Sequence, residues 1–451
     1  MMPYLLNFLY ALLLVLASPW ILWRRITQGR YRRGWREKLL GFIPEPAARP
    51  SATDLSQQRP PRIWFHAVSV GELQVIRPVI ELAISEWPEL QVIVTTSTDS
   101  GYELAKKLYA KHHVGFAPLD FTWAVHKALD RIEPDLVVMT EMELWPNWYR
   151  ATFQRKIPIA IINARLSERS LRGYQRAARW IVPTLKQVAW IGAQSATYRD
   201  RFLKLGYPET QIEVTGNIKF DGATPDREYP EVVHRRQLLS LTKSPSADPP
   251  IVWLCGSTQA PEEALCLHAM KNLLPRFPHL RMILVPRHAE RFDEVARLVE
   301  SSGLPWIRRS QLHDDPAGTE WRIFLADSVG ELRWWWGLAD IGFVGGSFGS
   351  RGGQNMIEPC AYGVATSFGP NTRNFADVVQ LLMESQGAVQ FQDPSELEPW
   401  VAAMIEKSAE RCELQARAKE LVQKQRGAVQ RTWSRLTTLI PRHPDRPILV
   451  E

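Results

Sequence analysis

The chain has 451 residues, 45% hydrophobic and 23% charged, which is the balance of a folded globular protein too long for one core. Its net charge of +7 is local: Arg24 to Lys38 holds +6 and the remainder +1, which excludes the broad basic face of a nucleic-acid binder. Four widely spaced cysteines (Cys255, Cys266, Cys360, Cys412) form no CxxC pair, arguing against a zinc site or disulfide scaffold and suiting a reducing compartment.

Residues Tyr4–Trp23 contain no charge, and Asn7 and Ser18 are their only clearly polar side chains. Twenty such residues just span a bilayer core at ~1.5 Å per residue. No Lys or Arg precedes the run, as a cleavable signal would require, and the positive charges follow it. The positive-inside rule then predicts a single-pass anchor with the N-terminus outside and the rest cytoplasmic. A helix lying in the interface is the competing reading, and both hold the chain to anionic lipid. Residues 1–40 are therefore assigned to the anchor and its basic flank, and 41–61 to a linker, with Pro44–Pro61 rich in Pro, Ser, Gln and Ala.

From Arg62 the pattern alternates strand, loop and helix, which implies a parallel sheet covered on both faces. Strands are expected at Ile63–His66, Gln91–Thr96, Leu136–Thr140, Ile157–Asn163 and Val188–Ala193. A polar, proline-containing break at 223–250 separates this 62–222 domain from a second alternation over 251–439. There the strands are expected at Ile251–Cys255, Met282–Val285, Ile323–Ala326, Ile341–Val344 and Val364–Ser367.

Polar clusters follow several of these strands, where open α/β sheets bind their ligands. His66-Ala67-Val68-Ser69-Val70-Gly71-Glu72 places a carboxylate at a strand end, either as a helix cap or as a general base. Glu141 and Glu143 follow Leu136–Thr140, and Asn163-Ala164-Arg165 ends the next strand. Lys219 lies in Gly216-Asn217-Ile218-Lys219-Phe220-Asp221, and in a binding site it would be a mobile positive charge suited to phosphate. In the second domain Arg287 offers a planar fork for carboxylate or phosphate. Gly345-Gly346-Ser347 could admit a phosphate to backbone amides, although such a triplet is usually only a turn. The spacing fits neither GxGxxG nor a P-loop, the histidines show no metal-ligand spacing, and no metal is expected. Trp334-Trp335-Trp336 reads as packing.

In order, the HxVSVGE, ELWPN, NARLSxRS, GxxKFD, PRHxERF, FVGGS, GGxN…E and GPxxxNF segments closely resemble the bacterial 3-deoxy-D-manno-octulosonate (Kdo) transferases over nearly the whole chain. The resemblance implies an α/β GT-B fold, two Rossmann-like domains facing across a cleft behind an N-terminal anchor helix. It implies inverting, metal-free transfer of Kdo from CMP-Kdo, a donor substrate rather than a cofactor, to the lipid A precursor lipid IVA at the inner membrane. The alternative is another GT-B transferase moving a sugar from a nucleotide-diphosphate donor to a membrane lipid. By the same resemblance Glu72 is the general base, and Glu141 and Lys219 are charge-stabilising groups. The CMP site falls on Pro286, Arg287, Val329, Gly330, Glu331, Asn355, Met356, Ile357 and Glu358. Three departures stand out: Gln354 where the family usually has His, Val329 for a usual Met, and Gln259-Ala260-Pro261 for His-Glu-Gly.

Overall fold

Uninterrupted runs of β-branched and aliphatic residues form strands when both faces are covered, because neither face then requires polar residues. In the computed structural model, which describes residues 2–27, 32–46, 60–176, 178–222, 226–241, 250–312 and 320–440, such runs build two parallel sheets of seven strands each. Most of the expected 41–61 linker, residues 223–225 and 242–249 of the second break, and Arg30 of the basic run lie outside the described residues.

The first sheet contains β1 (Arg62–His66), β2 (Gln91–Thr96), β3 (His113–Phe116), β4 (Leu136–Thr140), β5 (Ile159–Ala164), β6 (Trp190–Ala193) and β7 (Ile212–Val214). Their order is β3-β2-β1-β4-β5-β6-β7. The second contains β8 (Ile251–Thr258), β9 (Leu280–Pro286), β10 (Trp306–Arg308), β11 (Ile323–Leu325), β12 (Ile341–Val344), β13 (Ala365–Phe368) and β14 (Val389–Gln390). Their order is β10-β11-β9-β8-β12-β13-β14. In each sheet the chain starts in the middle and later crosses to the other side, creating a switch point between β1 and β4 and another between β8 and β12. Every strand expected from the sequence is present. The four that were not expected, β3, β7, β10 and β14, are the four sheet edges.

Contacts divide the chain into two compact units, Met1–Gly222 with Arg426–Glu451, and Ala223–Gln425. The last helix, Ala428–Leu439, belongs to the first unit rather than to the 251–439 stretch in which its sequence position places it. The Asp221 carboxylate accepts the amides of Gly427 (2.6 Å) and Val429 (2.5 Å), capping that helix. Trp433 is fully buried, packs edge-on against Trp87 and donates its indole N–H to Glu86 Oε2 at 2.7 Å. The tryptophan run is packing: Trp335 and Trp336 are buried, and Trp334 stacks on Tyr229.

At the other end of the chain, Met2–Thr27 is one apolar helix, long and apolar enough to cross a membrane and almost entirely exposed. Two residues near its start are tied to the first unit. Asn7 is buried and exchanges hydrogen bonds with Thr122, at 2.7 and 3.1 Å. The Tyr10 hydroxyl donates to Asp120 Oδ2 at 3.1 Å.

Candidate active site

The first switch point is lined by acid. Helix Val70–Glu86 begins directly after β1 because Ser69 caps it, its hydroxyl accepting the Glu72 amide at 3.3 Å. Leu73, Ile76, Val79, Ile80 and Ala83 then bury one face of that helix on the sheet. Glu72 is thereby fixed at the mouth of the switch point, 8% exposed. Its Oε2 accepts the Val68 amide (2.9 Å) and its Oε1 the Ser69 hydroxyl (2.8 Å). The cap reading and the base reading thus describe one residue. Burial raises the carboxyl above its ordinary range, the two hydrogen bonds oppose that, and the nearby charge of Glu141 raises it further.

Glu141 leaves the end of β4 in the left-handed region (φ 58°), a conformation that costs a non-glycine residue roughly 1–2 kcal/mol. Its amide donates to the Ile162 carbonyl at 2.9 Å and its Oε2 accepts Arg165 Nε at 2.7 Å, which together hold the strained turn. Sequence reasoning left Glu143 without a role, yet it is the most perturbed acid of the loop. Burial, then the charges of Glu72 and Glu141, push its carboxyl up to about 7. Three carboxylates therefore share one strand-end region, where burial and neighbouring negative charge raise the proton affinity of Glu72 and Glu143.

Two neighbouring elements complete this half. His66, at the end of β1, is buried against Trp148, accepts or donates one hydrogen bond with Thr95, and is held down to about 4 by burial, so it is a neutral support. Asn163, at the end of β5, is also left-handed (φ 52°) and its Oδ1 accepts the Ile218 amide at 3.0 Å. Asn217 then accepts the Lys219 amide at 3.1 Å, so the half-buried Lys219 sits on a turn hung from the sheet. Thr140 Oγ1 and Asn163 Nδ2 are buried without a hydrogen-bond partner among the described residues, which is rare for buried polar atoms.

The second switch point is built differently. The amides of Gly346 (2.7 Å), Ser347 (2.9 Å) and Phe348 (3.0 Å) do converge after β12, as the glycine pair suggested. They do not await a phosphate. The buried Glu262 carboxylate occupies them and also accepts the Gln259 amide at 3.0 Å. A Cβ on Gly345 would stand 2.6 Å from Thr258 Cα and 2.7 Å from Glu262 Oε2, so glycine is required for this internal anion.

The nine donor-site candidates separate by what each can present. Arg287 is exposed just after β9, and with Arg333 it lowers the Glu358 carboxyl, which burial raises. Asn355 donates to Glu358 at 3.1 Å and caps the following turn by accepting the Ile357 amide at 3.0 Å. Val329 is 80% exposed, and Gly330 (φ 86°) has open space where a side chain would be, so this loop can receive a ligand against its backbone. The Glu331 carboxylate is already taken by Arg235 (3.0 Å), Arg309 (3.5 Å) and Ser328 (2.6 Å). The side chains of Pro286, Met356 and Ile357 are buried.

Comparison with known proteins matches residues 33–222 to the family described as 3-deoxy-D-manno-octulosonic-acid transferase (kdotransferase). The chain is 33% identical to the 3-deoxy-D-manno-octulosonic acid transferase of Haemophilus influenzae, over 97% of this chain and 99% of that protein. It is 30% identical to the Bordetella pertussis transferase of the same name, over 82% of this chain and 85% of that one. A UDP-GlcNAc 2-epimerase structure from Neisseria meningitidis is 14% identical with a TM-score of 0.52, covering 84% of this chain and all of that one. That likeness shows the GT-B-type double α/β fold alone.

Proposed function

This chain belongs to the 3-deoxy-D-manno-octulosonic acid transferase family, and on that premise we propose that it transfers Kdo from CMP-Kdo to lipid IVA. The observation that carries the mechanism is the pair Glu72 and Glu141, emerging from β1 and β4 on either side of the first switch point. A sugar hydroxyl is a weak nucleophile, so a carboxylate must take its proton as the oxygen attacks. Glu72, buried and held by two hydrogen bonds, is the base. As the acceptor oxygen bonds to the anomeric carbon, the bond from that carbon to the phosphate oxygen breaks and CMP leaves with the electron pair. Glu141 meets the positive character of the anomeric centre, and Lys219 is suited to meet the charge that develops on the phosphate.

The second unit is assigned the donor. Arg287 supplies the cation, Asn355 and Glu358 supply a buried polar pair, and the Val329-Gly330 loop supplies open backbone. The apolar helix and its basic flank hold these units on the cytoplasmic face of the inner membrane, where a lipid acceptor lies. Mass spectrometry of lipid IVA incubated with the protein and fresh CMP-Kdo tests the reading. Addition of Kdo mass supports it; an unmodified lipid under conditions where CMP binds would contradict it.

A further inference from the structure

The first-unit contacts of the N-terminal helix bear on how the chain meets the bilayer. Asn7, near the start of that helix, is hydrogen-bonded to Thr122, and Tyr10 to Asp120. Past the helix the chain is on the same unit again. Arg33 pairs with Glu103, Lys38 accepts the Leu119 amide at 2.8 Å, and the Trp123 indole donates to the Leu39 carbonyl at 2.8 Å. The adjacent residues Thr122 and Trp123 thus hold the chain near the start of its apolar segment and again beyond its end.

A helix that crossed a bilayer from Asn7 would end on the far side at Thr27, and residues 28–32 would have to bring the chain back to Arg33. The hydrocarbon core is ~30 Å thick. Six residue steps reach only about 20 Å at full extension. Crossing in the opposite sense fails as well, since it would put Asn7 across the membrane from Thr122. We propose that the helix does not cross the bilayer but lies in one leaflet of an anionic membrane, pinned to the first unit through Asn7 and Tyr10. This replaces the single crossing expected from the basic flank. The occupant of the exposed apolar face is lipid: Phe8, Leu13, Leu16 and Trp23 are open, and Arg24, Arg25, Arg32 and Arg36 follow to meet anionic headgroups.

The pin also sets where the lipid plane stands. Asp120, which receives Tyr10, accepts the amides of Asn147 (3.1 Å) and Trp148 (3.0 Å) at the start of helix Pro146–Gln154. That helix begins directly after the loop that carries Glu141 and Glu143. The leaflet is thereby registered against the acidic loop through the Tyr10 and Asp120 side chains and two backbone amides, whichever sugar is transferred.

The test uses the full chain with a short polar extension carrying one cysteine ahead of Met1. Among the native cysteines Cys255, Cys266 and Cys360 are buried and Cys412 is exposed, so Cys412 reports the side on which the folded units lie. Sealed right-side-out and inverted membrane vesicles are treated with a membrane-impermeant maleimide, with detergent-opened vesicles as the full-labelling reference. The extension cysteine and Cys412 should be labelled in the same vesicle orientation. Labelling in opposite orientations would overturn the proposal.

Discussion

The two switch points occupy the same place in two similar sheets and surround their carboxylates with different partners. In the first, Glu72, Glu141 and Glu143 crowd together, and their repulsion and burial raise Glu72 and Glu143 above the ordinary carboxylate range. In the second, burial also raises the Glu262 carboxyl, but four backbone amides oppose that and make it part of the scaffold. Backbone amides aimed at a buried carboxylate favour its charged form and fix its place. One held near like charge retains proton affinity that chemistry can use. The fold offers the position, and the local donors decide its use.

Substitutions can break that contrast. Glu72→Gln should lower turnover by about 10²–10⁴, the usual worth of a general base, with CMP affinity unchanged. Retention of a third of wild-type turnover, with chemistry limiting, would remove Glu72 from the role. Glu262→Ala should instead cost stability, about 2–4 kcal/mol, since each buried amide left unsatisfied costs roughly 1–3 kcal/mol and some will find water. Denaturant unfolding measures it, and an unaltered midpoint would mean the amides have other acceptors. Arg287→Lys keeps the charge but loses the planar fork, so calorimetry should show CMP binding weakened by ~1–3 kcal/mol.

A further effect, visible in its pH dependence, concerns Glu143. Its carboxyl sits at about 7 in the folded chain against an ordinary 4.5, so the folded state holds the proton more tightly. The stabilisation this provides is full below about 4.5 and is lost as pH rises through about 7. Thermal midpoints of wild type should therefore fall relative to Glu143→Gln between about pH 5 and pH 8. Parallel curves for the two proteins would show that Glu143 is not held in this state.

How much of this was legible follows from what each feature depends on. Central strands such as β1 and β4 are buried along their whole length and read as apolar runs. The edge strands β7, β10 and β14 are partly exposed and short, so their composition resembles loop. Glu72 was visible because its cap, Ser69, lies three residues away. Glu262 filling the glycine turn, Asp221 capping a helix near the C-terminus and Asn7 reaching Thr122 were not legible, because the partners lie about 84, 206 and 115 residues apart and only the folded chain brings them together.

The account rests on Glu72 as a base poised by its surroundings, and the pH dependence of kcat/KM tests that most directly. The acidic limb should fall above the ordinary 4.5 of a glutamate, and the residual activity of Glu72→Gln should lack it. A limb at the ordinary value, or one that survives in Glu72→Gln and disappears in Glu143→Gln, would contradict the assignment.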